Sequence, residues 1–162
     1  MPHPNPDWHA RARSLAINGN AFVDGRYVPA ASGKTFDCVS PIDGRLLARV
    51  ASTDVEDVDR AVTAARRAFE SGAWSALPPR ERKRVLLRFA QLIEQHAEEL
   101  ALLETLDMGK PIADSLAVDI PATVRCISWY AEAVDKLYDE VAPTGPTALA
   151  TITREPVGVV GA

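Results

Sequence analysis

Only a few side chains in this sequence have the right types for covalent or metal chemistry. The thiols are Cys38 and Cys126, and the imidazoles are His3, His9 and His96. A thiol attacks as its thiolate, so it needs a base beside it, or a positive charge that holds its pKa down. Arg125 precedes Cys126, but successive helical residues point to different faces. His96 stands in Glu94-Gln95-His96-Ala97-Glu98-Glu99, the pattern of a solvated helix face. No nucleophile–base pair follows from these spacings, and core packing is the simpler role for both cysteines. There is no Cys-x-x-Cys and no helically spaced His pair, which removes the usual zinc centres. Gly158-x-x-Gly161 follows an apolar run, but falls short of the Gly-x-Gly-x-x-Gly that opens a dinucleotide-binding helix.

These residues are carried by two kinds of element. Ala21 to Val23 and Arg26 to Val28, joined by Asp24-Gly25, read as a β-hairpin, because Asp-Gly accepts the positive φ of a tight turn. Phe36 to Val39 and Leu46 to Val50 read as two more short strands around the Asp43-Gly44 turn. The pattern then changes to helix. Thr53-Asp54-Val55-Glu56 reads as a capping box. Val55, Val58, Val62, Ala65 and Phe69 form one stripe at helical spacing, ended by Gly72. Pro78-Pro79 opens a second helix, with Leu86, Phe89, Ile93, Ala97 and Leu100 inward. It continues to about Leu106 and is closed by Gly109 and Pro111. A third helix covers roughly Pro121 to Tyr138, with Val124, Ile127, Ala131 and Val134 inward. Pro143 to Pro146 is a loop. Val157 to Val160 is a continuous apolar run, as in strands buried on both faces of a parallel sheet. Such a strand needs neighbours and covering helices, so the chain reads as a piece of something longer.

Composition bounds what such a chain can do. It has 162 residues, 47% hydrophobic and 25% charged, the make-up of a folded domain and not of a disordered one. With 18 Lys+Arg against 22 Asp+Glu the net charge is −4, which argues against a nucleic-acid partner despite the basic run Arg80 to Arg84. No apolar run approaches the roughly 20 residues that cross a bilayer, and no secretory h-region opens the chain. Two distant cysteines make no disulfide framework. A cytoplasmic location, with no membrane partner, is the expectation.

Three segments then carry a resemblance: Leu103-Glu104-Thr105-Leu106-Asp107-Met108-Gly109-Lys110-Pro111, Trp74-Ser75-x-Leu77-Pro78-Pro79-x-Glu81-Arg82, and Thr153-Arg154-Glu155-Pro156-Val157-Gly158-Val159-Val160-Gly161-Ala162. With Val23 to Val28 and Val39-Ser40-Pro41-x-Asp43-Gly44, the chain resembles the NAD(P)-dependent aldehyde dehydrogenase superfamily. Ile127 to Ala133 and Tyr138 to Thr144 look closest to the branch acting on γ-aminobutyraldehyde and γ-glutamyl-γ-aminobutyraldehyde. The resemblance implies an α/β fold, the N-terminal part of an aldehyde dehydrogenase: short antiparallel β elements, three helices, and the first Rossmann strand at the C-terminal end. The implied division is a mobile arm over 1–13, part of the cofactor-binding domain over 14–147, an oligomerisation-arm strand over 148–156, and the truncated Rossmann strand over 157–162.

In that family a Cys thiolate attacks the aldehyde, hydride passes to the nicotinamide, and a Glu-activated water releases the acid. The resemblance places none of those residues here. It implies no catalytic and no cofactor-binding residue in this chain, and NAD or NADP only for a full-length parent acting on a small-molecule aldehyde. It does imply a monovalent cation held by backbone oxygen near Val39 and by the Asp107 carboxylate, although Asp107 also reads as a plain helix-end carboxylate. Asp119, Ala122, Cys126 and Trp129 are the implied substrate-entrance positions, with core packing the other reading for Trp129. The strand Ala150 to Arg154 is the implied oligomerisation arm of a homo-oligomer. A rival reading from another class is a non-catalytic module that pairs a partner's strand edge through 148–156.

Overall fold

In the computed structural model, which describes residues 6–161, the Asp24-Gly25 turn forms as its chemistry requires. Asp24 (φ 55°) and Gly25 (φ 77°) both lie in the left-handed region. They close β1 (Ala21–Val23) onto β2 (Arg26–Val28), antiparallel, with Ala21 opposite Val28. Phe22 and Tyr27 face each other across the pair, edge to face at 5.1 Å. β3 (Thr35–Val39) and β4 (Leu46–Ala51) form a second antiparallel pair, whose register shifts between Cys38 and Val39. Gly19 binds this pair to the preceding chain: the Ala51 N–H donates to its carbonyl at 2.8 Å. A Cβ at Gly19 would sit 2.0 Å from the Arg49 carbonyl oxygen, so only glycine fits this approach.

α2 (Val55–Glu70) begins one residue later than the sequence pattern suggests. Asp54, not Thr53, is the cap: its carboxylate accepts the Glu56 N–H at 3.2 Å, and Asp57 reaches back to the Asp54 N–H at 3.2 Å. A carboxylate answers the positive helix end better than a hydroxyl does. Buried Asp57 also accepts the Ala31 N–H at 3.0 and 3.2 Å and the Arg60 guanidinium at 2.5 Å. It therefore joins the chain leaving the first hairpin to the start of α2. Asp57 is the one buried residue of that helix. Much of its apolar stripe lies in water: Val55 is 76% exposed, and Val58 and Val62 are exposed as well.

The second expected helix is two. α3 (Pro79–Gln95) and α4 (Ala97–Met108) meet at His96, whose φ of −103° and ψ of 19° leave the helical basin. The His96 N–H still donates to Leu92 and its carbonyl still accepts from Leu100, so the break forfeits little hydrogen bonding. Periodicity does not register it. α4 contributes the buried residues Ala101, Leu102 and Leu106, whereas Phe89 of α3 is exposed. Gly109, at φ 77°, ends α4 in the left-handed cap.

The third expected helix starts earlier and ends sooner. A short turn, α5 (Ile112–Asp114), runs through a π-helical turn (Ser115–Asp119) into α6 (Ile120–Ala133). Pro121 has no N–H for the ladder and its ring crowds the carbonyl a turn earlier, a register conflict that the π turn absorbs. Val124, Ile127 and Val134 are half-buried, and Ala131 is fully buried. α6 packs on α3. Lys83 near the start of α3 reaches Glu132 at 2.6 Å and Asp135 at 3.5 Å beyond the last turn of α6, so the two helices run antiparallel.

The ends of the chain also differ from expectation. Trp8–Ser14 of the expected mobile arm is a helix, α1, capped by Asp7 and ion-paired to α4 through Arg11 and Glu98. His3 lies outside the described residues. β5 (Glu140–Ala142) and β6 (Ala150–Ile152) pair antiparallel, and Arg154 locks them through Glu140 at 2.9 Å. The run Val157 to Val160 is not a strand here, and Val157 is 97% exposed, because a strand requires a neighbour to hydrogen-bond. The architecture is therefore mixed α/β with three two-stranded antiparallel sheets and, among the described residues, five helices of seven residues or more. No helix among them is long and apolar enough to cross a membrane.

Asp57 yields a stability test. Burial raises its pKa, but the hydrogen bonds from Ala31, Asp54 and Arg60 outweigh that and hold it below the ordinary carboxylate value. Its contribution is present above the unfolded pKa of about 3.9 and disappears as pH falls through the lower folded value. Asp57→Asn should lower the thermal midpoint at neutral pH, and its gap from the parent chain should narrow below about pH 4. A gap that stays constant across that range would contradict the account.

Candidate functional site

Asp119, Ala122, Cys126 and Trp129 are spaced three, four and three residues apart, which aligns them on one helix face. The structure places Ala122, Cys126 and Trp129 on an exposed face of α6, away from buried Ala131. Trp129 is 65% exposed and meets Tyr130 edge to face at 4.9 Å, so it does not pack into the core that these described residues form. Asp119, at the junction of the π turn and α6, pairs with Lys110. That hydrogen bond pushes the Lys110 pKa up against the opposing effect of burial. The pair ties the loop after α4 to the start of α6. The Cys126 thiol has no hydrogen-bonded base among the described residues.

The other thiol is occupied differently. Cys38 on β3 donates to the Asp107 carboxylate at the end of α4, at 3.2 Å. This contact raises the Cys38 pKa first, followed by burial and the Asp107 charge. A thiol that donates to a carboxylate keeps its proton, the reverse of what a nucleophile needs. The same contact brings Asp107 beside the strand that carries Val39, 69 residues from Cys38 in sequence. Glu104, Asp107, Asn18 and Asn20 line a cavity of about 440 Å³ there. These side chains offer the oxygen donors that a hard cation takes. Among the described residues, however, no three His, Cys, Asp or Glu converge as a metal cluster.

The sequence reading missed the Cys38–Asp107 contact, the Lys110–Asp119 pair and the role of Asp57. Only the last had a local signal, the three-residue spacing of Asp54 and Asp57 at a helix start. The other two depend on segments that meet only in the fold.

Cys38 is held by Asp107, and Cys126 lies on an exposed helix face. Residues 27–162 match the aldehyde dehydrogenase family, and the chain belongs to that family. It is 54% identical over 155 residues to the NADP/NAD-dependent aldehyde dehydrogenase PuuC of Escherichia coli (strain K12), a match that covers 96% of this chain and 31% of PuuC. Its structure is similar to that of the indole-3-acetaldehyde dehydrogenase AldA of P. syringae, solved with NAD+, with 64% identity and a TM-score of 0.92 over 94% of this chain and 31% of AldA. It is also similar to a γ-glutamyl-γ-aminobutyraldehyde dehydrogenase from Burkholderia cenocepacia, at 57% identity and a TM-score of 0.84, over 85% of this chain and 28% of that one. The chain thus spans under a third of the length of these relatives.

The thiols can be told apart by alkylation. In single-thiol variants near pH 8, exposed Cys126 should react faster than Cys38, whose proton is held on Asp107, because thiolate, not thiol, is the reactive form. Asp107→Asn should accelerate Cys38 and leave Cys126 unchanged. A Cys38 that reacts as fast as Cys126 in the parent background would refute the assignment.

Proposed function

We propose that this chain is the opening part of an NAD(P)-dependent aldehyde dehydrogenase that oxidises small amino- or amido-aldehydes to acids, and that these 162 residues alone turn nothing over. The family match carries the first statement. The similarity to the γ-glutamyl-γ-aminobutyraldehyde dehydrogenase supports the substrate class. The state of the thiols supports the second: Cys38 holds its proton on Asp107, and Cys126 has no base on it. A bound nicotinamide would supply the hydride acceptor. What this chain contributes is support: α3 on α6 positions the exposed face of Ala122, Cys126 and Trp129, which in the assembled enzyme borders the aldehyde's path. Asp107, with backbone oxygen near Val39, holds a monovalent cation that stiffens the contact between β3 and α4.

A homo-oligomer is part of the proposal, assembled through the strand that contains β6. The non-catalytic alternative rests on the same observation, that β6 is paired on one side only, since an open edge accepts another strand whatever the chemistry elsewhere.

The purified 162-residue chain, incubated with NAD or NADP and an aldehyde panel that includes aminobutyraldehyde, should reduce cofactor no faster than buffer. The positioning and electrostatic contributions that make up most enzymatic acceleration are missing without an assembled nucleophile, base and oxyanion donor. Turnover that survives Cys38→Ala and vanishes with Cys126→Ala would overturn this reading and make Cys126 a nucleophile.

A further inference from the structure

α1, the turn between β3 and β4, and the second half of α4 surround a cavity of about 460 Å³, within the roughly 300–1,000 Å³ of small-molecule sites. The chain supplies these walls and ties each to the next. Arg11 of α1 pairs with Glu98 of α4. The turn is closed by the Ser40 N–H on the Arg45 carbonyl and the Gly44 N–H on the Ser40 carbonyl, both at 2.9 Å. Cys38 and Asp107 hold the strand that leads into the turn against the end of α4.

The cavity is apolar at its floor and charged at its rim. Leu102 and Leu106 of α4 are buried and Ile112 is half-buried, and Trp8 of α1 stands beside them. Arg11, which does not line the cavity, packs over the Trp8 ring at 5.2 Å and fixes its angle. The rim carries Asp7, Arg13, Asp43 and Arg45. Both carboxylates are engaged. Asp7 accepts the Ala10 N–H at 2.9 Å, while Asp43 accepts the Arg45 N–H at 3.2 Å and faces its guanidinium at 3.6 Å. The Ala10 N–H holds the Asp7 carboxyl below its ordinary value, and the Arg13 charge adds to that against the opposing effect of burial. Arg13 is thus near Asp7, yet among the described residues it forms no ion pair.

We propose that this cavity binds an aromatic monocarboxylate, with the ring on Leu102, Leu106 and Ile112 beside Trp8 and the carboxylate on the Arg13 guanidinium. A guanidinium meets a carboxylate through two parallel N–H bonds, and Arg13 has that fork uncommitted. An aliphatic acid would fill the floor but forgo the ring contact with Trp8. A dianion such as a phosphate monoester would add charge beside Asp7 and Asp43, with no second unpaired Arg or Lys among the described lining residues.

The test is titration of the 162-residue chain with 2-naphthoate, followed by calorimetry and by the indole N–H resonances of its three tryptophans. The Trp8 resonance, assigned by its loss in Trp8→Phe, should shift saturably with one-to-one stoichiometry, while those of Trp74 and Trp129 stay in place. Neutral 2-naphthamide and dianionic 2-naphthyl phosphate should each bind about tenfold or more weakly than 2-naphthoate. Arg13→Gln should weaken 2-naphthoate binding by about tenfold or more, since it removes a hydrogen-bonded charge pair. Arg13 is exposed, so helical circular dichroism should not change in that variant. Arg80→Gln, at an 84% exposed side chain on α3, should leave binding intact and so separates a site from general attraction to positive charge. Absence of a saturable Trp8 shift overturns the proposal, as does a shift at Trp129 or Trp74 in its place. So does equal affinity for the amide, tighter binding of the phosphate, or an Arg13→Gln variant that binds like the parent. None of these readouts uses aldehyde or NAD, so the outcome stands apart from the family reading.

Discussion

Apolar surface has to leave water for a chain of this size to hold its shape, and here the removal is concentrated in one place. Ala101, Leu102 and Leu106 of α4, Ala90 of α3 and Ala131 of α6 make up most of the buried apolar set. Small side chains at the tightest positions let the helices approach closely, and a fully buried alanine leaves no room for a larger one. Everything else in the chain is arranged around that cluster. α2, the first hairpin and the C-terminal segment stand outside it.

The outlying elements are held by polar ties. Asp57 joins the chain after the first hairpin to the start of α2, and Arg67 of α2 pairs with Asp24 in the hairpin turn at 2.9 Å. Cys38 and Asp107 bring β3 to the end of α4, while Lys110 and Asp119 bring the loop after α4 to α6. The exposed ion pair of Arg67 and Asp24 fixes position more than it stabilises, because exposed ion pairs contribute little net free energy in water, whereas buried Asp57 does both. That division explains why the chain can resemble the family's solved structures closely and still carry unsatisfied apolar faces. The geometry of the piece is encoded locally, while much of the cover is not.

The sequence made local features legible where a single residue type decides the backbone. Asp24-Gly25 admits the two positive φ angles of its turn, and the alternating short strands around it follow. Amphipathic stripes located α2, α3 and α6 correctly, but a stripe says only which face is apolar, not that something covers it. Val55, Val58 and Val62 form such a stripe and lie in water. The break at His96 escaped because its backbone bonds hand over from one helix to the next without a Gly or Pro. Val157 to Val160 carries a strand's composition, yet strand formation depends on a neighbour. Of the site residues, Ala122, Cys126 and Trp129 share a helix face as their spacing requires. The Asp107 contact with β3 joins segments far apart in sequence, which the resemblance could anticipate and local pattern could not.

Order in this chain follows burial in the α3–α4–α6 cluster and not helix content. Native-state hydrogen exchange of the isolated 162-residue chain tests it directly, since amides in an element anchored only by polar ties open without global unfolding. Amides in α4 and α6 should exchange slowest, and those of α2, a longer helix with a complete capping box, should exchange at least about a hundredfold faster. Protection in α2 equal to that in α4 would contradict it.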